Sequence, residues 1–136
     1  MDHARGSGTA LAVYLLSFSD PGLAAELYRA VKDKLARTFL GFGVVREYPS
    51  GNSGSSGDID SGPVILGFGV SPTGFSLAGA RIYRDEAFFA DLYATAYLFG
   101  APLDREDRRG FVTGGPLGDA ILFAMLTAQP RMEEVR

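Results

Sequence analysis

The chain has 136 residues, of which 46% are apolar and 21% charged, and its net charge is −3. That is one globular domain with enough apolar material for a core, and its weak acidity gives no reason to expect nucleic acid or an anionic membrane as partner. There is no cysteine and a single histidine, His3 in a polar N-terminal stretch, which removes disulfides, thiol nucleophiles, a good zinc site and a Ser-His-Asp triad.

Residues 1–8 read as a flexible leader. They do not resemble a secretory signal, and the apolar run from Ala10 to Leu16 falls far short of a membrane span, so a soluble, cytoplasmic protein without membrane insertion is expected. Thr9 to Phe18 is apolar nearly all round and predicts a buried helix. Ser19-Asp20-Pro21 is a strong helix start, with Asp20 as N-cap and Pro21 at the first helical position. From there Leu23, Leu27, Val31, Leu35 and Phe39 recur at helical spacing, predicting an amphipathic helix that ends at Gly41. Gly43 to Pro49 has extended character, but a lone strand has nothing to pair with, so no sheet is expected.

Asp60 or Ser61 caps a further predicted helix with Pro63 in its first turn. Ser71-Pro72 gives a second start, predicting a kink or two consecutive helices through about Arg84. Gly74, Ala78, Gly79 and Ala80 are small residues suited to close helix packing. Gly67-Phe68-Gly69 does not carry the spacing of a nucleotide-binding fingerprint. Asp85 opens another helix, stopped by Gly100 and Pro102, and Leu103 to Gly110 reads as a charged surface loop. Gly114-Gly115-Pro116 opens the last helix, running through Ala128, and residues 130–136 read as a flexible tail. The expected fold is therefore all-α, a single domain over residues 9–129 built from stacked antiparallel helical hairpins.

One polar stretch interrupts the helices, a long glycine- and serine-rich loop at residues 46–63. Loops of that length in compact domains are usually functional or disordered. It carries Arg46, Glu47, Tyr48, Asp58, Asp60 and Ser61. Each has a structural alternative: Asp60 as N-cap, Asp58 as a solvated loop acid, Glu47 paired with Arg46 or a helix end, Tyr48 as a packed aromatic. Ser61 lacks a histidine base and is not a nucleophile, and Asp119, near the start of the last helix, suits the helix dipole. With no thiol or usable imidazole, the chemistry open to the loop is that of two carboxylates, one held protonated and one ionised.

The middle of the chain resembles part of an α/α toroid, the barrel of helical hairpins found in many glycoside hydrolases and in the linalool dehydratase/isomerase group. The resemblance is carried by Arg46-Glu47-Tyr48-Pro49 after a long amphipathic helix, by Gly57-Asp58-Ile59-Asp60-Ser61-Gly62-Pro63 ahead of an apolar, small-residue stretch, and by Gly114-Gly115-Pro116-Leu117-Gly118-Asp119-Ala120. Asp58-Ile59-Asp60-Ser61 is also similar to the acid motif of terpene cyclases, with Ser61 in place of the last aspartate. The resemblance implies Asp58, Asp60 and Glu47 as catalytic carboxylates, Arg46, Tyr48 and Ser61 as ligand contacts, and a small carbohydrate or isoprenoid ligand. It implies no metal and no cofactor. A complete toroid needs well over twice this length. The alternative is a non-catalytic helical binding or assembly module. The apolar runs at 10–18 and 64–80 exceed what a few hairpins bury, which predicts a homo-oligomer or docking onto a further part of a larger chain.

Overall fold

The structure, a computed structural model, describes residues 5–49, 64–65 and 68–129. Its described part is mostly helical. Helix α1 spans Gly6–Leu16 and α2 spans Pro21–Ala30, the latter continuing as a π-helical turn over Val31–Leu35. Helix α3 covers Val70–Ile82, α4 Glu86–Gly100 and α5 Gly115–Leu126. Two helix starts form as their sequence dictates. The Asp20 carboxylate accepts the Leu23 N–H at 3.0 Å and that of Asp85 accepts the Phe88 N–H at 3.2 Å.

The expectation of no sheet is overturned, because the described residues form three two-stranded antiparallel sheets. Strand β1 (Ala36–Phe39) pairs with β2 (Phe42–Val45), and β3 (Val64–Ile65) with β4 (Phe68–Gly69). Strand β5 (Pro102–Asp104) pairs with β6 (Arg109–Phe111). The helix expected to reach Gly41 therefore stops at Leu35, and its last apolar residue, Phe39, belongs to a hairpin. The partner that the Gly43 segment lacked is the end of that same apolar period. The expected charged loop at 103–110 is likewise a hairpin, closed by an ion pair between Asp104 and Arg109. Asp60 and Ser61, at which a further helix was expected to begin, lie outside the described residues; α3 begins at Val70, directly after β4, and runs as one element.

Helix α3 is the centre of the molecule, with α1, α4 and α5 packed against it and α2 behind α1. Leu77, Ala78, Gly79 and Ala80 are buried. The small residues permit close approach: a Cβ at Gly79 would stand 2.9 Å from the Tyr28 ring and 3.2 Å from the Val13 side chain. The β1–β2 hairpin lies on α4, where a Cβ at Gly43 would meet the Leu92 backbone at 3.0 Å. On α2 the buried face is Ala24 and Tyr28, extended by Val31 and Leu35 in the π turn, while Leu23 is 42% exposed. No helix among the described residues is long and apolar enough to cross a membrane.

Candidate functional site

The described part of the 46–63 stretch is built onto the start of α1. That helix has no capping side chain of its own, since its N-cap position is Arg5. Glu47 takes over the role from a point far along the chain. Its carboxylate is completely buried and accepts the Ser7 hydroxyl at 2.7 Å and the Ser7 N–H at 3.3 Å. It also forms an ion pair with Arg5 at 3.4 Å. The Glu47 carbonyl receives the Gly6 N–H at 2.7 Å. A negative group against the first turn of a helix meets both unsatisfied N–H groups and the positive end of the dipole. The approach is so close that position 6 admits only glycine, because a Cβ there would lie 2.0 Å from the Arg46 carbonyl oxygen.

Arg5 joins this node to Tyr48. Its guanidinium donates to the Tyr48 hydroxyl at 3.3 Å and sits 6.0 Å from the ring centroid. The Tyr48 hydroxyl is thus engaged from the helix end. The Arg46 N–H donates to the Leu35 carbonyl at 3.0 Å, continuing the pairing of the hairpin. The structure brings Arg46, Glu47 and Tyr48 together around the α1 start. Asp58, Asp60 and Ser61 lie outside the described residues. Asp119 is structural in the way its position suggested: its carboxylate accepts the Phe111 N–H at 2.7 Å, tying α5 to β6.

A second polar node escaped the sequence. The hydroxyl of buried Tyr28 donates to the Asp85 carboxylate at 2.8 Å, and Lys32 donates to the same oxygen. Lys32 also lies 4.7 Å from the Phe88 ring centroid, and Tyr28 stacks on Tyr83 with centroids 4.8 Å apart. Partial burial pushes the Asp85 carboxyl upward, but the bonds from Lys32, Tyr28 and the Phe88 N–H together outweigh it and hold the group below its ordinary value. Burial, then the bond to the anionic Asp85, pushes the Tyr28 phenol far above the usual tyrosine range. The only available signal was Asp85 as a helix start; nothing local showed that α2 and its π turn would bring Tyr28 and Lys32 to it. Among the described residues no three His, Cys, Asp or Glu side chains are grouped to hold a metal ion.

The third feature is apolar. At the C-terminal turn of α4, Leu98 and Phe99 are 60% and 56% exposed. The chain then passes through the β5–β6 hairpin into a 3₁₀ turn over Val112–Gly114. Two bonds hold that turn against the end of α4: the Thr113 hydroxyl donates to the Phe99 carbonyl at 2.7 Å, and the Val112 N–H to that of Ala101 at 3.2 Å. Val112 is 65% exposed, and on α5 Leu117 and Phe123 stand 72% and 70% exposed. Surplus apolar surface was expected at 10–18 and 64–80. Leu15 and Phe18 of the first run are 56% and 52% exposed and Val70 of the second is 48% exposed, whereas Leu77, Ala78 and Ala80 are core; further exposed apolar side chains stand on the β1–β2 hairpin and on α4 and α5.

No protein-family model matches the chain, and no curated protein matches it in sequence.

Proposed function

We propose that the chain is an assembly module, a helical unit whose α4–α5 face docks onto another protein surface. The observation that carries this reading is the exposure of Leu117 and Phe123 on α5, together with that of Leu98, Phe99 and Val112 at the end of α4 and in the 3₁₀ turn bonded to it. Phe99 and Phe123 alone leave on the order of 250 Å² of aromatic surface in water, a large part of the few hundred Å² that a monomer ordinarily carries in its largest patch. Helix α5 adds a second argument. It is apolar on its outward as well as its inward side, with Asp119 its single charged residue, and helices of that kind are covered when they function. Glu47 fits the same reading, because its carboxylate is committed to holding α1 in place.

The test is binding of an environment-sensitive apolar dye at sub-micromolar protein, where weak association is dissociated. The native chain is expected to bind dye, and the double variant Leu117→Ser with Phe123→Ser to lose most of that binding with an unchanged circular dichroism spectrum. A native chain that takes up no dye under these conditions refutes the module.

A further inference from the structure

We infer that the occupant of the α4–α5 face is a second copy of this chain, packed antiparallel about a two-fold axis at Ala120. This rests on the assembly reading and names its partner. The outward stripe of α5 is Leu117, Ala120, Phe123 and Thr127, all exposed. At 3.6 residues per turn, Leu117 and Phe123 lie about 60° to either side of Ala120 and about 4.5 Å above and below it along the helix axis.

A two-fold axis through Ala120, perpendicular to the helix, reverses the direction of the second helix. It brings Leu117 of one protomer level with Phe123 of its partner, on opposite sides of the contact line. The large side chains then interleave, and Ala120 over Ala120 lets the two backbones come close. The order large–small–large is thus complementary to its own reverse, which is what an isologous interface requires.

Nothing on the stripe opposes a like partner. The stripe bears no charge, so a copy meets no like-charge repulsion on it. Its polar member presents no unmet donor: the Thr127 hydroxyl donates to the Phe123 carbonyl at 2.7 Å. The Asp119 carboxylate is turned toward β6 by the Phe111 N–H. Antiparallel packing also sets opposite helix-dipole ends beside each other. Leu117 and Phe123, 72% and 70% exposed, are the apolar side chains that this contact would bury.

The chain contains no cysteine, so a single introduced thiol reports the axis directly. Full-length Ala120→Cys is expected to form a covalent dimer under mild oxidation, at least tenfold faster than Ala90→Cys, a control at an exposed position of α4. Sedimentation equilibrium of the unmodified chain is expected to show monomer and dimer with micromolar affinity. Ala120→Arg is expected to weaken that affinity at least a hundredfold, with an unchanged melting temperature at dilute protein. A dimer that survives Ala120→Arg, or equal crosslinking at both positions, overturns the two-fold. A chain that binds apolar dye but remains monomeric at all accessible concentrations overturns the second copy and leaves the assembly reading standing. A chain that neither binds dye nor associates removes both.

Discussion

Glu47 shows how a buried acid is decided by its partners. Isolated in an apolar interior it would carry a large desolvation cost, but two hydrogen bonds from Ser7 and the guanidinium charge of Arg5 compensate it. Glu47→Gln keeps the shape and one acceptor oxygen while losing the charge, and is expected to cost about 1–3 kcal/mol. Glu47→Ala removes the acceptor of the Ser7 N–H and hydroxyl and the carboxylate facing Arg5, and is expected to cost about 3–5 kcal/mol. Exposed Asp33→Asn, by contrast, should stay within about 0.5 kcal/mol. Denaturant midpoints rank the three, and a Glu47→Ala protein as stable as Asp33→Asn would refute the anchoring role. Asp85 makes a pH-dependent contribution instead. Its carboxyl is held below its ordinary value when folded, so the stabilisation is present above the unfolded pKa of about 3.9 and is lost as pH falls through the folded value. Asp85→Asn retains a capping oxygen but not the charge. The variant is expected to be less stable than the native chain at neutral pH and to converge with it in acid. A gap of equal size at pH 7 and pH 3 would exclude this. Tyr28 shifts the opposite way, so its phenol should stay silent in an ultraviolet titration until the chain unfolds in alkali.

The β1–β2 hairpin is the element where local rules collide. Its register sets Phe39 opposite Phe42, leaving Leu40 and Gly41 as a two-residue turn with φ of 50° and 79°. Two positive φ values define a type I′ turn, for which Asn-Gly is the favoured pair. Glycine fits, but leucine in the left-handed region is strained by roughly 1–2 kcal/mol. Leu40 is also 80% exposed, so little packing offsets that strain. Leu40→Asn is therefore expected to stabilise the protein by about 0.5–1 kcal/mol, and a lower denaturation midpoint in the variant would contradict the turn assignment. The same residue explains why the hairpin was illegible in the sequence. An Asn-Gly pair would have announced it, whereas Leu40 let the apolar period from Leu23 run on through Phe39 as if it were helix. Where the side chain that makes a boundary also suits that boundary, the sequence was readable. Asp20 with Pro21, Asp85 and Pro116 all mark helix starts within a residue or two. Glu47 lay in between: a helix end was one of its expected partners, but that helix starts forty positions earlier, beyond any local spacing rule.

At the scale of the whole molecule, α3, which falls largely within one of the two runs that looked in need of an external partner, gives Leu77, Ala78, Ala80 and Ile82 to the core. Helix α3 is apolar and studded with small residues because three other helices close on it, and at Gly79 Val13 of α1 and Tyr28 of α2 come close to its backbone. The outer helix α5 has α3 on one side only, and its far side is the exposed stripe. This inequality predicts a gradient of local stability. Amides of α3 between Ser76 and Ala80 sit under completely or nearly completely buried residues, and exposing them requires opening the entire packed unit. The β5–β6 hairpin holds only three pairs and closes with an exposed Asp104–Arg109 ion pair of a kind that contributes little. Native-state hydrogen exchange should therefore give the α3 amides the free energy of global unfolding, with the same denaturant dependence as the optical transition. The β6 amides should exchange through a smaller, denaturant-insensitive opening. If α5 is paired across a two-fold, its protection should rise with protein concentration while that of β3–β4 stays constant. Protection in α3 no higher than in β6 would mean that this helix is not the centre around which the chain folds.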